Sequence, residues 1–222
     1  MNITENLLLL KSSVPDHVGI VAVSKMQPVE ALQEAYQAGH RIFGENKVQE
    51  LVQKRMQLPT DIEWHFIGHL QTNKIKYIAS FISLIHSIDS IHLLKEVNRE
   101  AIINKRVIDC LLQFHIATEE SKFGLDIEEA EDLLNSKVYR EMKNIRITGI
   151  MGMSSFSDDI KLVRKEFHTL YGYFKKLKGI YFEHQASFEV ISMGMSGDYL
   201  LAIEEGSTLI RIGSSIFGER QY

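Results

Sequence analysis

A chain of 222 residues with 45% hydrophobic and 24% charged side chains can bury a sizeable core and is too apolar to be intrinsically disordered. Its formal net charge of −4 supplies no basic field of the kind nucleic-acid binding requires, so small molecules are the expected partners. The single cysteine, Cys110, excludes an intramolecular disulfide and a cysteine-based metal cluster, and its apolar setting Val107-Ile108-Asp109-Cys110-Leu111-Leu112 makes it a core residue.

The chain opens with Asn2-Ile3-Thr4-Glu5-Asn6 before four leucines, acidic where a signal peptide is basic, and no apolar run approaches membrane-spanning length. A cytoplasmic protein that meets no membrane is expected. Residues 1–17 read as an N-terminal helix, near 4–12, and its lead-in. Apolar, β-rich segments then alternate with longer amphipathic ones. Strands are expected at 19–24, 41–43, 63–67, 84–87, 110–116, 146–150, 189–192 and 209–212. Helices are expected at 29–38, 47–57, 74–80, 91–104, 127–134, 161–176 and 197–205. Asp89 or Ser90, Asp126, and Asp158 or Asp159 are suited to cap three of them. Pro15, Pro28 and Pro59 fall in loops, and no linker marks a second domain. Eight strands with intervening helices predict an α/β fold, a single-domain (β/α)8 TIM barrel over residues 1–222 with an extra N-terminal helix. An open sheet with the same alternation is the other possibility.

In such a barrel the loops after the strands build the site, so the strand ends were read for chemistry. The first strand, Val18-Gly19-Ile20-Val21-Ala22-Val23-Ser24-Lys25, ends in a lysine at the edge of a core, where desolvation favours the neutral, nucleophilic amine. From position alone, a lysine that ends the strand and snorkels to water is the slightly favoured reading. The turns Ser192-Met193-Gly194-Met195-Ser196-Gly197 and Arg211-Ile212-Gly213-Ser214-Ser215 offer backbone N–H groups and hydroxyls to one anion, a phosphate after strands seven and eight. An amine opposite a phosphate site suits pyridoxal 5'-phosphate, and also a sugar phosphate in a lysine-dependent aldolase. Arg211, two residues before Gly213, could hydrogen-bond a pyridine nitrogen and keep it unprotonated, which weakens the cofactor as an electron sink. His65 and His69 are four apart but straddle a strand end, so His65 reads as a barrel-interior residue and not as a metal ligand. Lys175, Lys176 and Lys178 read as a basic helix end.

The segments Ala22-Val23-Ser24-Lys25, Phe43-Gly44-Glu45-Asn46-Lys47-Val48-Gln49-Glu50, Trp64-His65-Phe66-Ile67-Gly68-His69-Leu70-Gln71-Thr72-Asn73-Lys74, Glu120-Ser121-Lys122-Phe123-Gly124, Met193-Gly194-Met195-Ser196 and Arg211-Ile212-Gly213-Ser214-Ser215-Ile216-Phe217-Gly218 run through nearly the whole chain. Together they resemble the pyridoxal phosphate homeostasis protein family, single-domain relatives of the alanine racemase N-terminal barrel. The resemblance implies an intracellular role in vitamin B6 homeostasis. It also implies pyridoxal 5'-phosphate held as an internal aldimine on Lys25, its phosphate around Ser196, Gly213 and Ser214, its pyridine nitrogen facing Arg211, and Asn46 lining the pocket. No catalytic residue follows from it, and PLP-dependent apoenzymes are the implied acceptors. The alternative is an amino-acid racemase of the alanine racemase type. The chain's end at Tyr222, where those racemases continue into a second domain, argues for a carrier and a monomer, and leaves room for weak racemase-like activity. Ser214 stands where many members have threonine, which keeps the hydroxyl. Lys122 and the Met-rich stretch Met151-Gly152-Met153-Ser154-Ser155-Phe156 have no assigned role, irregular packing being the expectation for the methionines.

Overall fold

The computed structural model describes residues 2–118 and 123–218. Eight parallel strands close into a barrel in sequence order: β1 Gly19–Val23, β2 Ile42–Glu45, β3 Glu63–Phe66, β4 Leu84–Ile88, β5 Ile108–Phe114, β6 Ile145–Gly152, β7 Val190–Ser192 and β8 Leu209–Ile212. Closure is made by β1 against β8, with Val21 level with Arg211 and Ala22 level with Ile212. The expected barrel is therefore the observed one, and the open sheet is set aside.

Nine α-helices lie among the described residues: α1 Ile3–Ser13, α2 Val29–Gln37, α3 Val48–Arg55, α4 Ile91–Ile103, α5 Ile127–Asn135, α6 Lys137–Glu141, α7 Ile160–Tyr181, α8 Tyr199–Glu204 and α9 Ser214–Phe217. Their starts are written in short polar side chains: Asn2 and Asp126 form reciprocal capping boxes with Glu5 and Glu129, and Ser90 and Asp159 accept the first free N–H groups of α4 and α7. Three expectations need correction. The helix placed at 74–80 is a 3₁₀ helix, Thr72–Tyr77. The short α6 and α9 were not foreseen, being too brief to show a period. Helix α7 runs beyond its basic stretch because Phe174 and Leu177 keep an apolar face on the core, and Lys176 pairs with Glu131 at 2.9 Å.

Two apolar layers follow from the period-two alternation of the strands. Outward residues such as Ala22, Phe43, Trp64 and Ile85 meet Leu32 and Ala35 of α2 and Leu51 of α3 in one core between barrel and helices. Inward residues Val21, Leu84, Leu111, Met151 and Leu209 form a separate cluster that plugs the barrel, with Met153 packed against it. Met151, near the end of β6, and Met153, just beyond it, thus pack in the barrel interior, in line with the packing role expected of them. One glycine is required by this geometry. The β5 and β6 registers slip between Cys110 and Leu111, and Gly149, at φ 158°, presses so closely on the Val190 carbonyl that no Cβ fits. Cys110 is fully buried in the outer core.

Candidate ligand-binding site at the barrel mouth

The residues singled out in the sequence gather beyond the carboxyl ends of the strands. Val21 faces the barrel interior, and the alternation carries Val23 and then half-buried Lys25 along the same side as the chain leaves β1. Gly44 faces Val21, for a Cβ there would stand 2.7 Å from Val21 Cγ1, so Asn46, two residues later, continues the inward series of β2. Asn46 Oδ1 is buried and has no hydrogen-bond partner among the described residues. Gly68 lies over Asn46 so tightly that a Cβ would come within 2.6 Å of its carbonyl oxygen. Strand β3 can end there only on a glycine.

On the other side of β1, across the closure of the barrel, Gly194 turns the chain at φ 94° after β7, and Ser196 follows. The Ser196 hydroxyl accepts the Gly213 N–H at 3.2 Å, and Gly213 caps α9, which begins with exposed Ser214. Gly213 in turn sits beside β1, where an added Cβ would stand 3.6 Å from Val23 Cβ. The two turns expected to share an anion are thus bonded to one another and adjoin the strand that carries Lys25. Asp198 braces this arc by accepting the Met195 N–H at 2.6 Å and the Ser154 hydroxyl at 2.8 Å, which ties the loop after β6 to the loop after β7.

One layer below the mouth, Arg211 is 4% exposed. Its Nη1 donates to the Ser192 carbonyl at 2.8 Å and hydroxyl at 2.7 Å, and its Nη2 to the Gly152 carbonyl at 3.0 Å. Burial lowers its pKa to about 10, which leaves the guanidinium charged at neutral pH. The Ser192 hydroxyl also meets His86 Nδ1 at 3.0 Å, and His86 Nε2 meets His65 Nδ1 at 3.0 Å. Burial pushes His65 down to about 3 and His86 well below the usual histidine value, so both rings are neutral and one proton serves the contact between them.

His65 is the interior residue it was expected to be. His69 goes elsewhere, pairing with Asp89 at 3.3 Å and stacking on Phe123 at 4.5 Å. Lys122, with Glu120 and Ser121, lies outside the described residues. Buried Glu166 accepts the Thr118 N–H at 3.2 Å and the Ser155 N–H and hydroxyl at 2.7 Å each, which ties Thr118 to the loop after β6. Sequence reasoning passed over His86, Ser192 as a partner, Glu166, and Lys54 of α3. The one available signal was a polar residue on the inward register of an apolar strand, as in Leu84-Ile85-His86.

Residues 1–221 match the family model described as alanine racemase, N-terminal domain. The chain is 38% identical over 208 residues to the pyridoxal phosphate homeostasis protein of Aquifex aeolicus, an alignment that spans 91% of this chain and 87% of that one. It is 41% identical over 212 residues to the protein of the same name from Schizosaccharomyces pombe, spanning 92% and 85%. Among solved structures, PipY of Synechococcus elongatus without PLP superposes with a TM-score of 0.91 at 33% identity, covering 98% of this chain and 100% of that one. The same protein with PLP bound gives 0.87. An alanine racemase from Clostridium difficile shares the fold at a TM-score of 0.77 and 12% identity, this chain covering 56% of it. By family match, identity and coverage, this chain belongs to the pyridoxal phosphate homeostasis proteins, built on the barrel of the alanine racemase N-terminal domain.

Proposed function

We propose that this protein binds pyridoxal 5'-phosphate and serves its homeostasis, holding the cofactor reversibly on Lys25 and releasing it to PLP-dependent apoenzymes. The observation that carries this reading is the convergence at one barrel mouth of Lys25, the bonded Ser196 and Gly213 turns, and Arg211 beneath them. Asn46 adds a test of fit: its buried, unpartnered Oδ1 is an acceptor left for a ligand donor. Ser196, Gly213 and Ser214 are the residues for the phosphate, through N–H groups and hydroxyls among small side chains. Arg211 is the residue for the ring nitrogen. When bound, the cofactor supplies an aldehyde that condenses with a neutral primary amine and releases one water.

What the chain itself does then favours storage over turnover. Arg211 has no acceptor to offer and stays charged at neutral pH, so it can only donate to the ring nitrogen, which must accept unprotonated. That state is the poorer electron sink. The family namesakes are homeostasis proteins, and the absence of catalytic turnover is part of the proposal.

The test is borohydride reduction after incubation with PLP. A cofactor label on the Lys25 peptide of the wild type, absent from Lys25→Ala, is the expected result; an unlabelled wild-type Lys25 overturns the site. Racemisation of an amino acid at an enzymic rate, lost in Lys25→Ala, overturns the non-catalytic part.

A further inference from the structure

Behind the end of β1 stands a buried ionic cluster that the proposed site does not use. Lys54 of α3 is 5% exposed, and its Nζ donates three hydrogen bonds: to the Ser24 carbonyl at 2.6 Å, to Glu45 Oε1 at 2.7 Å and to Glu50 Oε1 at 2.7 Å. An ammonium has three donors, and all are engaged. Glu45 is fully buried and also accepts the Ser24 hydroxyl at 2.7 Å. Glu50 Oε1, besides taking Lys54, accepts the Met26 N–H at 2.6 Å.

The two backbone groups held by this cluster are the Ser24 carbonyl and the Met26 N–H. They belong to the two peptide planes that flank the Cα of Lys25, one before it and one after. Rotation about φ and ψ of Lys25 is rotation of those planes, so fixing both fixes the direction of its Cα–Cβ bond. The backbone needs such holding. Met26 sits at φ 63°, a left-handed conformation that a non-glycine residue adopts at a cost and keeps only where its surroundings impose it.

Stability alone is a weak reason for the cluster. Burying an ammonium among carboxylates commonly gains little over apolar residues of the same size. Burial raises the Glu45 carboxyl above the usual carboxylate range against the pull of the Lys54 ammonium, and Glu45 Oε2 is buried without a partner among the described residues.

We propose that Lys54, Glu45 and Glu50 are positioning residues for Lys25: one ion cluster clamps the peptide planes on both sides of it and aims its amine across the barrel mouth. This rests on Lys25 being the residue that captures the cofactor. A protein that releases its ligand must present the amine in the same direction for the next capture, and a clamp independent of the ligand does so.

The test uses Glu50, whose side chain is 21% exposed and whose loss leaves the core filled. Three readouts are compared in wild type, Glu50→Ala and Glu50→Gln: hydrogen-exchange protection of the Met26 amide without ligand; the rate of borohydride-trappable capture of PLP on Lys25; and affinity for pyridoxine 5'-phosphate, which lacks the aldehyde and reports the pocket alone. Glu50→Ala is expected to lose Met26 protection and slow capture about tenfold, the scale of a misaimed reacting group, with pyridoxine 5'-phosphate affinity unchanged. Glu50→Gln, which keeps an oxygen for Met26 and Lys54, restores both. Lys54→Met, which releases the Ser24 carbonyl and leaves the Met26 N–H on Glu50, is expected to slow capture in the same way with pyridoxine 5'-phosphate affinity unchanged. Unchanged capture in Glu50→Ala and Lys54→Met, or capture and pyridoxine 5'-phosphate affinity falling together, overturns the positioning role. A wild type with no trapped cofactor on Lys25 overturns the reading of Lys25 itself, and Met26 protection still reports the clamp.

Discussion

In the lower half of the barrel interior Val21, Leu84, Leu111, Met151 and Leu209 meet as a dry plug. Two residues further along the same strands, Leu84 gives way to His86, Leu111 to Gln113 and Leu209 to Arg211, and Val190, at the edge of the plug, to Ser192; Val21 and Met151 are followed by Val23 and Met153, so the upper half is mainly polar. The strands are common to both halves and only the register differs. Because a strand returns to the same face every second residue, the plug fixes the position of each strand, and the layer above inherits that position for hydrogen bonding. Stability is concentrated below and recognition above. Gln113 follows the rule by donating to the Phe123 carbonyl at 2.8 Å, a contact that anchors the far side of the loop after β5.

The plug is the sharper half to break. Leu111 is fully buried, and Leu111→Ala removes its packing and leaves a void in a space closed by the barrel on all sides. The expected cost is about 3 kcal/mol, read from urea unfolding. The same loss is expected at pH 7.5 and pH 5, with PLP capture on Lys25 unaltered. A Leu111→Ala protein that keeps its stability but loses capture would show that the two halves are not separable.

Titration distinguishes the halves next. His65 and His86 are neutral in the fold because burial lowers their pKa values, whereas unfolded histidines bind protons below about pH 6.5. The unfolded chain therefore carries more protons as pH falls, and the stability these groups allow is full above that value and lost below it. For His65, down to about 3 in the fold, the loss by pH 5 is about 2 kcal/mol. His86 adds to it with the same sign. His40, before β2, is also lowered, to about 4 by burial, so the contrast is drawn with His65→Asn, whose stability should fall less steeply between pH 7.5 and pH 5. An equal slope would remove His65 from the acid response.

The strands were legible because their information is local. Each strand is a short apolar run, and β8 was placed at its observed bounds from Leu209-Ile210-Arg211-Ile212 alone. Lys25, Arg211, Ser196 and Gly213 stand out by residue type at strand ends, and the fold brings these strand ends to one mouth. The polar partners were not, because their contacts span the chain: Lys54 reaches Ser24 across 30 residues, Glu166 reaches Thr118 across 48, and His86 reaches Ser192 across 106. Glu50 and Lys54 can be read as an i,i+4 helix pair, yet that spacing usually describes a solvated face, and here α3 turns it inward. Helix α7 shows how close the two faces lie: Phe174 and Leu177 are buried, while Lys178, in the last turn, sets its ammonium 5.5 Å from the centre of the Phe174 ring.

The smallest effect asks whether the upper layer is one connected chain. Ser192→Ala removes the hydroxyl that joins Arg211 to His86, while the Ser192 carbonyl and the Gly152 carbonyl still accept from the guanidinium. The change leaves His86 Nδ1 buried without its partner and should cost about 1 kcal/mol in urea unfolding. If the chain is continuous, the loss of Ser192 frees His86 to turn and weakens its contact with His65, so the effect of Ser192→Ala shrinks in a His65→Asn background. A double-mutant cycle should then give a coupling of about 0.5 kcal/mol, although Ser192 and His65 make no direct contact. Strict additivity would mean that His86 is held by the apolar walls around it, and that the polar layer is a set of separate pairs lying side by side above the plug.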